Sequence, residues 1–251
     1  MIQVKNITFG YAKHTVLDNV SLDIKDNMVT ALIGANGAGK STLLGIASRL
    51  ITPASGTVLI DNVDIKEQKS TDIAKKLAVL KQSHSLNIRI SINDLVEFGR
   101  FPHCGGRLQD IDKEEVAKAI DYMNLTDIKD KFVTEISGGQ RQRAFIAMIL
   151  AQNTPYILLD EPLYNLDIKY SVEMMKLLRQ LVVDLNKTVV VVVHDINFAS
   201  AYSDHVVAMK DGKIVAQGAP KEIITKGVLD DVFDHDFNII DVENKQVNLY
   251  F

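Results

Sequence analysis

The stretch GANGAGKST, Gly34–Thr42, follows the aliphatic run Val29–Ile33 and opens a segment rich in helix formers, Lys40–Leu50. It matches the pattern G-x-x-x-x-G-K-[ST], and its position after a predicted strand and before a predicted helix is the context that this motif requires. Glycines let backbone N–H groups turn towards phosphates, and the helix N-terminus adds partial positive charge. The stretch therefore predicts a nucleotide-phosphate site within an α/β fold.

Two side chains of this loop have chemical roles of their own. Lys40 is expected to reach the β and γ phosphates, and the hydroxyl of Ser41 is expected to ligate Mg²⁺. The other residues of the loop that we expect to contact the nucleotide are Asn36, Gly37, Gly39 and Thr42.

A pair of acidic residues supplies the second requirement of such a site. Tyr156–Leu159 predicts a buried strand, and Asp160 and Glu161 follow at its carboxyl end, where α/β sheets place their ligands. We expect Asp160 to hold Mg²⁺ directly or through water. Glu161, one residue further on, is the expected general base for the attacking water.

Strands and helices alternate along the chain except in the middle, where the stretch from about Ser91 to Gln152 is more helical. Ser91 and Asp112 are the predicted helix caps of that stretch. Continuous aliphatic runs predict parallel strands that are covered on both faces. The turn Asp211-Gly212 predicts a hairpin, and the tail 241–251 predicts a closing pair of strands.

Composition narrows the function classes. A chain of 251 residues with 47% apolar residues can bury a sizeable core. Its 28 basic residues against 32 acidic ones give a net charge of −4, which argues against free nucleic acid as the main partner. The single cysteine, Cys104, excludes an internal disulfide and a cysteine metal cluster. The longest aliphatic run, Val189–Val193, is far shorter than the ~20 residues of a membrane span, and the N-terminus has no apolar signal core.

The segment Ser137-Gly138-Gly139-Gln140 narrows the class further, because it stands between the glycine loop and the acidic pair. Together these motifs resemble an ABC-type ATPase, the nucleotide-binding subunit of a membrane transporter, over essentially the whole chain. The resemblance implies a P-loop NTPase core of the RecA-like α/β type, with an antiparallel β subdomain and a helical subdomain that carries the SGGQ segment. It implies one domain over residues 1–251, with the helical subdomain inserted at about 85–152.

Four further residues match motifs of this family. Tyr11 corresponds to the aromatic residue that stacks on adenine, and Gln82 to the glutamine that reaches Mg²⁺ and senses the transmembrane partner. Asp167 lies in the loop that crosses between subunits, and His194 matches the histidine that contacts the γ-phosphate. The implied catalytic residues are Glu161, His194 and Lys40.

The resemblance also implies partners and a location. Two copies pair head to tail, and ATP binds between the glycine loop of one and Ser137–Gln140 of the other. An integral-membrane permease would hold the pair at the cytoplasmic face of the membrane, and an extracellular substrate-binding lipoprotein would take part indirectly. No nucleic-acid partner is implied.

The segment FGRFPH, Phe98–His103, resembles ATPases of importers for iron–siderophore, haem and vitamin B12, and the whole chain looks closest to the iron–siderophore importers of Gram-positive bacteria. In such importers this region receives a cytoplasmic helix of the permease, so Arg100 and Arg107 are expected to meet acidic or carbonyl groups there. Tyr164 departs from the family pattern, because it is larger than the residue often found before the NLD segment, residues 165–167.

Three other classes of protein share some of these motifs and can be distinguished from an importer ATPase. A nucleic-acid-associated ABC protein would carry long coiled-coil insertions or two ATPase repeats. A nucleotide kinase would share the phosphate loop but not the SGGQ, Asp167 and His194 motifs. An exporter subunit would often be fused to membrane spans.

Overall fold

A computed structural model describes residues 1–12, 14–81, 89–243 and 245–249. The chain forms two compact units, which we call the first unit (residues 1–68 and 175–251) and the second unit (residues 69–174). The prediction of one domain with a helical subdomain at about 85–152 stays a prediction.

The elements of the described residues alternate as the sequence predicts. The strands are β1 (Ile2–Tyr11), β2 (His14–Ile24), β3 (Val29–Gly34), β4 (Ser55–Ile60), β5 (Val63–Asp64), β6 (Leu77–Leu80), β7 (Tyr156–Asp160), β8 (Thr188–Val192), β9 (His205–Lys210), β10 (Lys213–Gly218), β11 (Asn238–Val242) and β12 (Lys245–Leu249). The helices are α1 (Lys40–Ala47), α2 (Ser70–Ala74), α3 (Ile92–Glu97), α4 (Phe101–Cys104), α5 (Asp110–Tyr122), α6 (Gly138–Ala151), α7 (Ile168–Leu185), α8 (Ile196–Tyr202), α9 (Pro220–Ile223) and α10 (Lys226–Phe233). Across these ranges, no helix combines the length and the apolar character that crossing a bilayer demands.

The core sheet of the first unit is built on β3, which pairs in parallel with β8 and with β9. Every residue of β3 and β8 is buried, as expected for parallel strands covered on both faces. Strand β10 adds an antiparallel edge, and its residues alternate between exposed and half-buried. These pairings confirm the predicted α/β fold with a parallel sheet.

A second sheet of the first unit is antiparallel, in the order β2-β1-β4-β5. Strand β1 points Ile2, Val4 and Ile7 inwards, and all three are at most 1% exposed. Burial of each such side chain contributes about 1.5 to 3 kcal/mol to folding. This sheet is the predicted antiparallel β subdomain.

The C-terminal tail forms the predicted pair of strands, β11 and β12. Helix α8 binds the backbone of β12 through side chains, because Asn197 Nδ2 donates to Asn248 O at 3.2 Å and Asn248 N donates to Asn197 Oδ1 at 2.7 Å. Ser200 Oγ adds a bond to Gln246 O. The tail is therefore fastened to the helix that begins two residues after His194.

In the second unit, β6 and β7 pair in parallel, and the elements between Ile92 and Ala151 are helical apart from one bridge between Ser91 and Phe132. Ser91 caps α3, as predicted, because its Oγ accepts from Asp94 N at 3.0 Å. The prediction that Asp112 is a cap is wrong.

Helix α5 is capped by Gln109, and Asp112 stands in its first turn. The Asp112 carboxylate reaches back to accept from Gln109 N at 2.9 Å, which completes a reciprocal capping box. The sequence prediction therefore takes the third residue of the helix, Asp112, for the residue that precedes it, Gln109.

Arg100 is a structural residue and not an exposed partner contact, so that prediction is also wrong. Its side chain is 7% exposed; Nε donates to Asp112 Oδ1 at 2.9 Å and a terminal nitrogen donates to Ala151 O at 2.7 Å. The backbone hydrogen bond from Gln109 and the Arg100 guanidinium hold the pKa of Asp112 below its usual 3.8. Arg107, by contrast, is exposed.

We expect Arg100→Met to lower the melting temperature of the protein at pH 7 by at least about 5 °C, because it leaves the buried Asp112 carboxylate without its cation. Since the pKa of Asp112 is lowered by folding, the ionised carboxylate stabilises the fold above its unfolded pKa of 3.8, and this contribution is lost as the pH falls through the folded pKa. The gap between variant and parent should therefore narrow below about pH 4.

The measurement is thermal unfolding followed by circular dichroism. Lys113→Ala is the control, because it removes an exposed pair with Asp110 on the same helix and should change the melting temperature by no more than about 1 °C. Equal melting temperatures for Arg100→Met and the parent at pH 7 would contradict the structural role.

Candidate nucleotide-binding site

The phosphate loop joins β3 to α1 in the first unit. Ala35, Asn36 and Gly37 are exposed, whereas Gly39 is buried and takes the N-cap position of α1 at φ 97°. Helix α1 is shorter than predicted and ends at Ala47, because Arg49 adopts a left-handed conformation at φ 62° and Leu50 N donates back to Gly45 O at 2.8 Å. The loop thus presents an open tip above a buried base, where the N-terminus of α1 begins.

Gly39 is required by space as well as by backbone conformation. A Cβ on this residue would lie 2.6 Å from Leu17 Cδ2 and 3.0 Å from Val16 O. Its φ of 97° is also in the region that side chains other than glycine rarely adopt. The strand β2 therefore forms the floor of the loop, a contact that the spacing of the motif does not reveal.

The side chain of Lys40 is buried, and its Nζ donates to Gly34 O at 2.8 Å and to Ala35 O at 2.9 Å. Both acceptors belong to the loop, so the ammonium group is held inside the turn where phosphate oxygens would approach. Ser41 is exposed and Thr42 is half-buried in the first turn of α1.

The turn at Asp211-Gly212 also supports the loop, and it lies against the same part of β2, because a Cβ on Gly212 would be 2.4 Å from Val16 O. Gly212 N donates to Ala38 O at 3.3 Å, and Asp18 N donates to Gly212 O at 2.9 Å. Both turn residues have positive φ, 47° and 75°, as the Asp-Gly pair predicts for a tight hairpin. The sequence predicts the turn but gives no signal that it braces the phosphate loop.

His194 lies at the same edge of the sheet as the loop. Leu32 of β3 is in register with Val192 of β8, and Val193 N donates to Leu32 O at 3.2 Å. His194 follows directly and is exposed. The backbone of His194 therefore lies beside the carboxyl end of β3, and its contact with the γ-phosphate stays a prediction.

Tyr11 ends β1 and is 61% exposed, with its ring edge-on to Phe9 at 5.0 Å between centroids. It pairs with His14, where β2 begins. From His14 to Val16, the strand covers roughly 7 Å and reaches the floor of the phosphate loop. Tyr11 is therefore an accessible aromatic surface at the start of the strand that supports the loop.

In the second unit, Asp160 is the last residue of β7 and Glu161 turns away from the strand at φ 51°. Such a left-handed conformation is uncommon for a residue with a long side chain, and it is found more often at functional sites. Tyr164 N donates to Glu161 O at 3.1 Å, which closes a turn immediately after the acidic pair.

The loop that begins with this turn ends at Asp167, in the capping position of α7. Tyr170 N donates to Asp167 Oδ1 at 3.0 Å, and Ser171 N donates to Asp167 O at 2.9 Å. Asp167 and Tyr164 are both exposed.

The SGGQ segment begins α6 with a capping box. Ser137 Oγ accepts from Gln140 N at 3.2 Å, and Gln140 Oε1 accepts from Ser137 N at 3.1 Å. A Cβ on Gly138 would meet no atom within 4 Å, whereas a Cβ on Gly139 would lie 2.8 Å from two ring carbons of Tyr170. The two glycines are thus in different surroundings, one open and one packed.

The first unit therefore brings together the phosphate loop, His194 and the strand that begins at the turn beside Tyr11. In the second unit, the acidic pair and Asp167 lie at the two ends of one loop, and Tyr170 contacts both Asp167 and the SGGQ turn. Gln82 lies outside the described residues.

Comparison with known proteins agrees with these motifs. The model of the ABC transporter family matches residues 17–164. The petrobactin import ATP-binding protein YclP of Bacillus subtilis is 51% identical over 251 residues, which cover 100% of both chains. The ferric enterobactin transport ATP-binding protein FepC of Escherichia coli is 43% identical over 239 residues, 94% of this chain and 88% of its own.

Solved structures show the same fold. A bacterial ABC transporter cassette solved as a dimer is 32% identical with a TM-score of 0.77 over 88% of this chain and 99% of its own. An inward-facing transporter described as being of the metal-chelate type is 27% identical with a TM-score of 0.85 over 99% and 97%. The chain belongs to the ABC transporter family, and it is an ATPase cassette of that family.

Gly39→Ala should weaken ATP binding at least tenfold, because φ 97° is strained for a residue with a Cβ and that Cβ would lie 3.0 Å from Val16 O and 2.6 Å from Leu17 Cδ2, so that the loop or β2 must shift. Titration with a fluorescent ATP analogue measures the effect. Gly227→Ala is the matched control: its Cβ would meet nothing within 4 Å, and its φ is not in the restricted region, so ATP affinity should stay unchanged. An affinity of Gly39→Ala within about twofold of the parent would show that the floor contact is dispensable.

Proposed function

We propose that this chain is the ATP-hydrolysing subunit of an importer for ferric siderophores or related iron chelates, acting through a separate membrane permease at the cytoplasmic face of the membrane. The observation that carries the proposal is full-length identity of 51% to a protein named for petrobactin import, with every motif side chain for ATP hydrolysis present. Relatives named for ferric enterobactin and iron(3+)-hydroxamate transport support an iron chelate as the cargo class.

The phosphate loop binds the triphosphate of ATP in this proposal. The amides at its base and the Lys40 ammonium meet the phosphate oxygens, and Tyr11 offers its exposed ring to adenine. The remaining contacts to the phosphates come from Asn36, Gly37, Gly39 and Thr42.

Magnesium is the metal that fits the oxygen donors of this chain. Ser41 offers an exposed hydroxyl in the first turn of α1, and Asp160 offers a carboxylate at the end of β7. Hydroxyl, carboxylate and phosphate oxygens are the ligands that Mg²⁺ prefers, and we assign both residues to it together with Gln82. When bound, the metal neutralises charge on the transferred phosphoryl group.

Hydrolysis requires a base and a group that senses the γ-phosphate. Glu161, which lies next to the metal ligand and has a constrained backbone, orients the attacking water and accepts its proton. His194 contacts the γ-phosphate from the carboxyl edge of the first unit's sheet.

The SGGQ turn serves a second copy of the chain. Ser137 and the amides of Gly138 and Gly139 contact the γ-phosphate of ATP held by the partner's phosphate loop, with Gln140 and Asp167 beside them. The open space at Gly138 supports this assignment, because an exposed turn without a side chain allows close approach of a phosphate. ATP then joins two copies, and hydrolysis lets them separate and drives the permease.

The substrate-binding lipoprotein and the permease provide selectivity, so the cargo could also be haem or vitamin B12 within the same family. The names of the relatives favour siderophores.

Glu161→Gln should reduce ATP hydrolysis at least 100-fold while leaving ATP affinity within about twofold, because the amide cannot accept the proton of water. Steady-state phosphate release measures the first quantity, and titration of a fluorescent ATP analogue measures the second. Gln180→Ala, which changes an exposed residue of α7, is the control and should leave both hydrolysis and ATP affinity unchanged. Undiminished hydrolysis by Glu161→Gln would remove this residue from the catalytic role.

Loss of the gene should abolish uptake of at least one radiolabelled iron chelate among ferric petrobactin, ferric enterobactin and a ferric hydroxamate. The wild-type gene should restore the uptake and Glu161→Gln should not, because import depends on hydrolysis. Haem and labelled vitamin B12 are measured in parallel. Normal uptake of all three chelates together with lost uptake of haem or vitamin B12 would transfer the assignment to that cargo.

A further inference from the structure

Tyr170 contacts the SGGQ turn directly, and it is not among the motif residues named above. A Cβ on Gly139 would lie 2.8 Å from Tyr170 Cδ1, 2.8 Å from Cγ and 3.2 Å from Cδ2. These distances are shorter than a van der Waals contact, so the ring packs against the bare backbone of Gly139 and occupies the space of its missing side chain. A side chain at position 139 would therefore have to displace this ring.

The backbone of Tyr170 contacts the second element that the proposed dimer uses. Its N–H donates to Asp167 Oδ1 at 3.0 Å, and this bond fixes the aspartate at the start of α7. One residue therefore contacts the SGGQ turn through its ring and holds Asp167 through its N–H group.

An ion pair continues the same contact one helical turn further along. Arg143 of α6 bonds to Glu173 of α7; these residues lie four positions after Gly139 and three positions after Tyr170. Spacings of three and four place residues on one face of a helix, so the two pairs form a single line of contact. The ion pair is partly exposed and contributes little by itself, which leaves the ring as the main contact.

We propose that Tyr170 is a positioning residue that fixes the SGGQ turn relative to Asp167, so that both reach the ATP of a second copy in register. The inference rests on the proposed function, in which these two elements face the partner. The two glycines then have different roles. Gly138 leaves room for the partner's phosphate, and Gly139 leaves room for the ring of Tyr170.

Tyr170 acts through Gly139 and Asp167, so its loss should leave the binding of ATP to a single chain unchanged. Association of two copies should suffer, because the SGGQ turn and Asp167 are no longer held in one geometry before the partner binds, and ordering them on association costs free energy. The expected signature is weaker ATP-dependent dimerisation with unaltered ATP affinity of the monomer.

The first experiment uses the full chain with Glu161→Gln, which should accumulate an ATP-bound dimer. We expect Tyr170→Ala in this background to raise the protein concentration for half-maximal dimerisation at least about tenfold in analytical ultracentrifugation with ATP and Mg²⁺. Tyr170→Phe should restore dimerisation to within about twofold, because only ring carbons contact Gly139. Lys176→Ala, an exposed change on the same helix, is the control.

ATP binding by the monomer distinguishes a misplaced SGGQ turn from a general loss of folding. At protein concentrations below dimerisation, Tyr170→Ala should bind a fluorescent ATP analogue as the parent does. In chains with Glu161 intact, Tyr170→Ala should raise the protein concentration for half-maximal specific activity and leave the activity at saturation within about threefold. If Tyr170→Ala lowers the folded fraction, Tyr170→Leu, which keeps apolar bulk without a planar ring, takes its place with the same expectation.

A double-mutant cycle tests the contact itself. Gly139→Ala should lower the melting temperature in the parent, where its Cβ meets the ring, and should lower it by less than half as much in the Tyr170→Ala background. Equal losses in the two backgrounds would overturn the assignment of Gly139 to Tyr170.

The outcomes separate a failure of the composite ATP site from a failure of the role proposed for Tyr170. If Glu161→Gln alone does not dimerise with ATP, the composite site fails, and the role of Tyr170 fails with it. If Glu161→Gln dimerises and Tyr170→Ala changes nothing, the composite site stands and the positioning role is overturned.

Discussion

The conformation of one glycine, Gly39, determines how the chain presents its phosphate loop. Its left-handed backbone turns the chain from β3 into α1, and the absence of a Cβ lets β2 lie directly beneath it. Val16 and Leu17 of β2 lie beneath the loop, and the loop surrounds the side chain of Lys40, whose ammonium group donates to the carbonyls of Gly34 and Ala35. Every role that we assign to this loop depends on that close approach of two backbones.

Two parts of the first unit that are distant in sequence support the loop. Val16 and Leu17 come before it, and Gly212 comes more than 170 residues after it and donates to Ala38 O. Backbone hydrogen bonds and close packing hold this arrangement, and an exposed ion pair between Lys213 and Asp18 joins the hairpin to β2 beside it. A rigid loop loses little conformational entropy when phosphate binds, which favours affinity.

The SGGQ turn, unlike the phosphate loop, is held in shape by hydrogen bonds within its own four residues. Its capping box satisfies the first N–H groups of α6 within four residues, so the turn itself is local. Its orientation is not local, because Tyr170 and the Arg143–Glu173 pair set it against α7. A local motif whose orientation depends on a neighbouring helix can respond to that helix, and this is why the start of α7 matters to the proposed dimer.

The sequence by itself determined the class of fold, the family and the identity of the motif residues. Periodicity and glycine placement predict β3, the start of α1, β7 and the hairpin at Asp211 correctly, because these signals are local and strong. The sequence did not reveal that Arg100 is buried with Asp112, that Gln109 is the cap of α5, or that β2 and Gly212 support the phosphate loop. Nor did it explain why the SGGQ motif needs two glycines. Those facts depend on side chains and backbones that meet across long sequence separations, and only the tertiary structure decides which groups share the same space.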